Sequence, residues 1–104
     1  MYTIFETRTF IEDAHTIWSE GERLEFSTWL ASNPNARDAI PGSGGCRKVR
    51  WSRARMGKSG DVRIIYFTRL TMGEIWLLLA YAKSGRAVIP AHILKSIRQE
   101  IERD

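Results

Sequence analysis

Basic side chains are concentrated between residues 47 and 69. This basic block carries eight of the sixteen Lys and Arg residues and one acid, a net charge of +7, whereas residues 1–46 carry −4 and residues 70–104 carry +1. Clustered Lys and Arg attract polyanions and stabilise negative charge that develops on a reacting phosphate. Their mutual repulsion also lowers a lysine pKa, which suits a lysine to proton transfer. The basic block therefore predicts a polyanion site that works through cations.

Two predicted strands that flank a basic loop carry the strongest candidate residues. The segment CRKVRW alternates in polarity, so Lys48 and Arg50 are predicted to share one face of a strand, about 7 Å apart. Arg63 lies in the next apolar segment, VRIIYFTR. We expect all three cations to contact phosphate. The alternatives are a solvated strand face for the first two and an ion pair with Asp61 or Glu74 for Arg63.

Other common sources of chemistry are not indicated. His15 and His92 lie in predicted helices away from the basic block, so we do not expect a histidine acid–base pair. The single Cys46 cannot form an internal disulfide, and no Cys/His spacing is typical of zinc. No apolar run approaches the roughly 20 residues of a membrane helix, and the N-terminal sequence lacks the pattern of a signal peptide. We therefore expect a cytoplasmic protein that uses no metal or cofactor and does not associate with a membrane.

The first third of the chain predicts a strand and two helices. Residues 2–7 favour a strand, and helical spacing begins at Thr9, with Glu12 and Asp13 in the first turn. Gly21 is expected to end this helix. A second helix is expected to begin at the next residue and to stop before the Asn-Pro pair at 33–34.

The remaining two thirds predict three strands and a final helix. The strands are expected at residues 46–51, 62–69 and 74–83, and the last of them is apolar enough to lie inside the sheet. Pro90 is expected at the start of the final helix. The order βααβββα predicts a single α+β domain over residues 1–104, with an antiparallel sheet of about four strands.

Three motifs in this order resemble a known family. They are GSGGCRKVR, a basic glycine-containing loop followed by VRIIYF, and IWLLLAYAKSG. Together they cover residues 38–83 and resemble the RelE/ParE superfamily of type II toxins, most closely its HigB-type branch. The resemblance implies a RelE-like fold of the microbial-RNase type. It also implies a metal-independent endoribonuclease that cuts mRNA in the ribosomal A site, through attack of a 2′-hydroxyl on the adjacent phosphate.

The same resemblance implies partners. Toxins of this family are neutralised by a cognate antitoxin, and here we expect a helix-turn-helix, HigA-like protein. The toxin–antitoxin complex is expected to bind operator DNA and repress its own operon. The toxin itself is expected to act on the ribosome and its mRNA.

The resemblance also suggests roles for the candidate residues. Lys48 and Arg50 match the basic pair after the glycine-rich turn, and Arg63 matches the arginine before the I-I-Y run, where it would hold the scissile phosphate. Lys58 and Lys83 match cations that are candidates for proton transfer. The candidates for RNA binding are Arg47, Arg53, Arg55 and Tyr81. Two alternatives stay open, namely solvation of the loop cations and a packing role for Tyr81, which would otherwise stack on a base.

Two other functions are compatible with parts of the sequence. A ParE-like inhibitor of DNA gyrase would have the fold without the nuclease chemistry, but the dense positive charge of the basic block argues against it. A non-catalytic nucleic-acid-binding module would use the same cations only to hold phosphate. Composition does not separate this binding module from a nuclease.

Overall fold

The chain forms three helices and a four-stranded sheet, which confirms the α+β class. The structure is a computed structural model and describes residues 2–35, 39–52, 61–82 and 89–102. A 3-10 turn over Leu70–Met72 precedes the last strand. The elements along the described chain are β1 (Thr3–Glu6), α1 (Arg8–Ile17), α2 (Glu20–Ala31), β2 (Arg47–Ser52), β3 (Asp61–Arg69), β4 (Glu74–Ala82) and α3 (Ala91–Glu102).

The sheet is mixed, so the prediction of a wholly antiparallel sheet is wrong. The strand order is β1-β4-β3-β2, and β2, β3 and β4 form an antiparallel meander. Strand β1 pairs with β4 in parallel, with Thr3 opposite Glu74 and Glu6 opposite Leu77. Parallel neighbours require a crossover connection, and the pair α1–α2 begins that connection. Strand β4 therefore lies inside the sheet, as its continuous apolar sequence predicts.

The sheet is covered on both faces. Helices α1 and α2 cover the face that we call the hairpin face, and α3 covers the other, which we call the α3 face. None of the helices in the described ranges is long and apolar enough to cross a membrane. The core on the hairpin face contains Phe10, Ala14, Trp18, Phe26, Leu30, Val49, Val62, Ile64, Tyr66, Ile75, Leu77 and Ala80. The core on the α3 face contains Cys46, Ile65, Phe67, Leu78, Leu79, Tyr81 and Leu94.

The boundary between α1 and α2 differs from the prediction, because a capping box overrides the glycine. Helix α1 ends at Ile17 and α2 begins at Glu20, so Gly21 lies in the first turn of α2 and ends no helix. The Ser19 hydroxyl accepts a hydrogen bond from the Glu22 amide at 3.2 Å, and the Glu22 carboxylate accepts one from the Ser19 amide at 3.0 Å. These bonds satisfy backbone donors that a new helix leaves unpaired, which sets the start of α2.

Strand β4 contains a β-bulge that changes which residues face α3. Tyr66 of β3 pairs with Leu77, but its neighbour Ile65 pairs with Leu79, so Leu78 is an extra residue on β4. Before the bulge Leu77 belongs to the hairpin face. After the bulge Tyr81 belongs to the α3 face, although it lies an even number of residues from Leu77. A bulge of one residue shifts the alternation in this way.

A glycine-rich turn allows α3 to approach the sheet. Gly42, Gly44 and Gly45 have φ values of 78°, 76° and 101°, a backbone region that favours glycine. The Ser43 hydroxyl between them is buried; it donates to the Ile40 carbonyl at 2.6 Å and accepts from the Cys46 amide at 3.0 Å. The turn therefore fixes the start of β2 beneath α3.

Replacing Gly44 with alanine should destabilise the protein, whereas the same change at Gly21 should not. A Cβ atom at Gly44 would lie 3.2 Å from Cγ of Lys95 in α3, and φ is positive, so Gly44→Ala should lower the free energy of unfolding by about 2 kcal/mol. A Cβ atom at Gly21 meets nothing within 4 Å, and Gly21→Ala should raise it by about 0.5 kcal/mol. Urea unfolding measures both. Equal effects at the two positions would contradict this role of the turn.

Candidate functional site

Three candidate residues form one row across three strands on the α3 face. Arg50 of β2 lies directly opposite Arg63 of β3, and Arg63 lies directly opposite Tyr81 of β4. Directly opposite residues on one face have Cβ atoms about 4.5–5.5 Å apart. The side chains of these three residues therefore lie in one line across the α3 face, which we call the cationic row.

Lys48 lies on the same face, two residues before Arg50 on β2. Its backbone pairs with Ile65, and its side chain is exposed, as is that of Arg50. The predicted division of β2 into two faces is confirmed, since Val49 is buried on the hairpin face while Lys48 and Arg50 are exposed. The structure thus brings together four of the predicted residues, namely Lys48, Arg50, Arg63 and Tyr81.

Arg63 is the most unusual member of the row. Charged residues on an edge strand such as β2 are common because they prevent edge-to-edge association. Arg63 instead lies on β3, which has a strand on each side. Its Nη1 atom is buried and has no hydrogen-bond partner among the described residues. Leaving a buried donor unsatisfied costs about 1–3 kcal/mol, and more for a charged group.

The described acids do not neutralise the row. Glu74, one of the two acids considered as a partner for Arg63, instead pairs with Arg69, with 3.4 Å between Nη1 and Oε1, and also accepts from the Trp76 indole at 3.0 Å. The side chain of Asp61, the other acid considered, lies outside the described part. No carboxylate whose side chain is described forms an ion pair with Lys48, Arg50 or Arg63. The row thus has positive charge available for an external anion.

A small cavity lies beside the row. It has a volume of about 60 Å³ and lies between the sheet, α3 and the segments that precede β2 and α3. Lys48 and Tyr81 contribute to its wall, and Ile40, Ile65, Leu79, Ile89 and Leu94 complete it. Tyr81 itself is only 8% exposed. Its ring therefore packs in the core on the α3 face. This agrees with the packing role, which was one of the two interpretations of Tyr81.

The other predicted residues are not in the row. Arg47 is in phase with Val49, so it lies on the hairpin face and not on the face of Lys48, and it has an interaction partner. The remaining four predicted cations lie outside the described residues: Arg53, Arg55, Lys58 and Lys83. The cavity residues Ile40 and Ile89 were not predicted, because no local pattern indicates that these two segments meet.

Metal-ligand clusters and the single cysteine were also considered as sources of chemistry. No group of three or more His, Cys, Asp or Glu that could hold a metal ion occurs among the described residues. Cys46 is fully buried, and burial raises the pKa of its thiol, an effect only partly offset by the hydrogen bond with Ser43 and by the charge of Arg98. A thiol in this environment is a poor nucleophile.

Cys46 should therefore react with a thiol reagent only when the protein unfolds. We expect Ellman's reagent at pH 8 to leave the native protein unmodified and to label one thiol per chain in 6 M guanidinium chloride, because the thiolate form is disfavoured and the sulfur is inaccessible. Rapid labelling of the native protein would show that the environment of Cys46 differs from the one described.

The arrangement suits binding of a phosphodiester. Two guanidinium groups offer several N–H donors in fixed planes, a lysine adds a compact charge, and a phenol can donate a hydrogen bond. The sequence matches no protein-family model. The functional interpretation therefore depends on the geometry of the row and on the motifs in the sequence.

Proposed function

We propose that the protein is a metal-independent endoribonuclease, the toxin of a toxin–antitoxin pair, which cuts mRNA on the ribosome. The observation that carries the proposal is Arg63, a cation on an interior strand opposite a second arginine, with a buried Nη1 atom that has no partner in the described part of the chain. Like charges placed directly opposite each other cost stability. A bound phosphate would remove both costs, since it would accept hydrogen bonds from the unpartnered donor and screen the repulsion.

The proposed reaction uses the substrate's own hydroxyl as nucleophile. The 2′-oxygen attacks phosphorus while its proton passes to a base, the bond from phosphorus to the 5′-oxygen breaks, and that oxygen takes up a proton. The products carry a 2′,3′-cyclic phosphate and a 5′-hydroxyl. Arg63 and Arg50 would stabilise the charge of the transition state. Proton transfer is assigned to the lysines, with Lys48 beside the row and Lys58 and Lys83 as further candidates.

The biological setting of the proposal comes from the resemblance to RelE/ParE toxins of the HigB type. In that setting the substrate is mRNA in the ribosomal A site, and the protein acts in the cytoplasm. A helix-turn-helix antitoxin would neutralise the toxin, and the pair would bind operator DNA. Supporting this setting, the ordered motifs extend over both strands that carry the cations of the row.

Arg63→Ala should abolish RNA cleavage without destabilising the fold. Loss of one transition-state donor of this kind lowers the rate by about 100-fold or more. Because the guanidinium repels Arg50, we expect the free energy of unfolding to stay unchanged or to rise by up to about 1 kcal/mol. Arg69→Ala is the matched control, since it removes the same charge from the same strand at a position already paired with Glu74.

The measurements are cleavage of mRNA on translating ribosomes and binding of single-stranded RNA at several salt concentrations. A plot of the logarithm of the RNA association constant against the logarithm of the salt concentration has a slope that reflects the number of phosphate contacts. Arg63→Ala should reduce the size of this slope by about 0.7, because one phosphate contact is lost, and Arg69→Ala should leave it unchanged. An Arg63→Ala protein that cuts RNA at the full rate would exclude Arg63 from the site.

Substrate chemistry separates the nuclease from its alternatives. Cleavage should persist in EDTA, should leave 2′,3′-cyclic phosphate ends, and should stop at a position where the 2′-hydroxyl is replaced by hydrogen. Equal cleavage of the deoxy-substituted position would contradict attack by that hydroxyl. Growth arrest with intact transcripts and damaged DNA would indicate gyrase inhibition, and RNA binding without cleavage would indicate a non-catalytic module.

A further inference from the structure

The outer edge of β4 is only half covered by β1. Strand β1 pairs with Glu74–Leu77 and then ends, while β4 continues to Ala82. Beyond Leu77, β4 therefore has backbone groups on that side that none of the described strands satisfies. Helix α1, which follows β1 directly, lies along this part of the edge.

The N-cap residue of α1, Thr7, and Asp13 within α1 form hydrogen bonds with the backbone of β4 at the bulge and just beyond it. The Thr7 hydroxyl donates to the Leu78 carbonyl at 2.7 Å, and the Thr7 amide donates to the Leu77 carbonyl at 3.1 Å. Two residues further along β4, the Ala80 amide donates to Oδ2 of Asp13 at 3.1 Å. Partly buried backbone groups without such partners would carry the cost of an unmade hydrogen bond. These bonds fix the backbone of β4 on both sides of Leu79.

The bulge in this part of β4 determines the face of the sheet on which the Tyr81 side chain lies. Trp76 packs on the α3 face and Leu77 on the hairpin face, and strict alternation from these residues would turn Tyr81 toward the hairpin face. The extra residue Leu78 reverses the alternation, so that Tyr81 faces α3 opposite Arg63. Without the bulge Ala80 would lie opposite Arg63 and take this place in the row.

We propose that Thr7 and Asp13 are positioning residues, which hold the β4 bulge and thereby keep Tyr81 in the cationic row. They lie on the edge of β4 away from β3, so they act on the row only through the strand between them. The consequence for RNA cleavage rests on the proposed function, but the effect on the orientation of Tyr81 does not. Asp13 also has a further interaction partner, and Thr7 also caps α1 by accepting from the Phe10 amide at 3.1 Å.

The first test measures Tyr81 itself. The chain has three tyrosines, so 19F NMR of fluorotyrosine-labelled protein gives three resonances, which Tyr→Phe variants assign. We expect Asp13→Ala and Thr7→Val to shift or broaden the Tyr81 resonance and to leave that of Tyr66, whose hydroxyl donates to the Pro34 carbonyl at 3.1 Å, in place. Asp13→Asn and Thr7→Ser, which keep an acceptor and a hydroxyl, should restore the Tyr81 signal.

Two control variants separate positioning from general destabilisation. Glu12→Ala removes one negative charge from an exposed position adjacent to Asp13. Ser19→Ala removes the N-cap of α2, a loss comparable to that of the Thr7 cap, at a residue whose hydrogen bonds go to Glu22 and Arg23 of α2 itself. Neither control should move the Tyr81 resonance, even where Ser19→Ala lowers stability as much as Thr7→Val does.

The second test measures cleavage. We expect Asp13→Ala to lower kcat about tenfold with KM within a factor of about two, because misplacement of a site residue acts mainly on the reacting geometry. In a Tyr81→Leu background, Asp13→Ala should have no further effect on kcat. An additive effect of the two changes would contradict an action of Asp13 through Tyr81.

The outcomes distinguish the two proposals. An unmoved Tyr81 resonance in both Asp13→Ala and Thr7→Val would overturn the positioning role, whether or not the protein cuts RNA. A moved resonance in a protein that binds and cuts no RNA would leave the positioning role intact and overturn the proposed function. A moved resonance with full cleavage activity would overturn the catalytic consequence, because the row would then work without Tyr81.

Discussion

The burial of both faces of β4 is the constraint on which the rest of the structure depends. An apolar strand of this kind needs a strand on each side and a helical layer above and below. Strands β1 and β3 supply the first requirement, and α1, α2 and α3 supply the second. Strand β3 lies between β4 and β2, so a cation on it has a strand on each side. The half-buried position of Arg63, whose Nη1 atom has no partner among the described residues, follows from this place in the sheet.

The charge of the molecule is divided between the two sides of this sheet. Helices α1 and α2 carry exposed acids, including Glu12, Glu20 and Glu25, whereas the cationic row lies on the opposite face. Such a division orients the protein in the field of a polyanion before contact, with the α3 face turned toward the phosphates. In the proposed function the acidic helices would thereby help to orient the protein on RNA, while their apolar sides form the larger core.

Local pattern predicted most of the elements but not how they meet. Alternation in β2 correctly placed Lys48 and Arg50 together, and the apolar run of β4 correctly placed it inside the sheet. The opposition of Arg50 and Arg63 was not predictable, because the connection over residues 53–60 is long enough to allow several registers. The bulge at Leu78 was not predictable for a related reason. The residues that form hydrogen bonds with this part of β4, Thr7 and Asp13, are more than sixty residues away in sequence. Where the prediction was wrong at Gly21, two local signals competed, and the capping box of Ser19 was the stronger one.

The glycine-rich turn has a consequence for how the sequence motif should be interpreted. Glycines before a basic segment are typical of loops whose backbone approaches a phosphate, yet the space next to Gly44 is filled by Lys95 and Arg98 of α3. The glycines of the motif thus allow α3 to pack against the turn, whereas the proposed chemistry would depend on the alternating residues that follow them. A chain could therefore retain the motif with its helix after losing every cation of the row. Within this short segment, different residues would therefore determine the fold and the proposed activity.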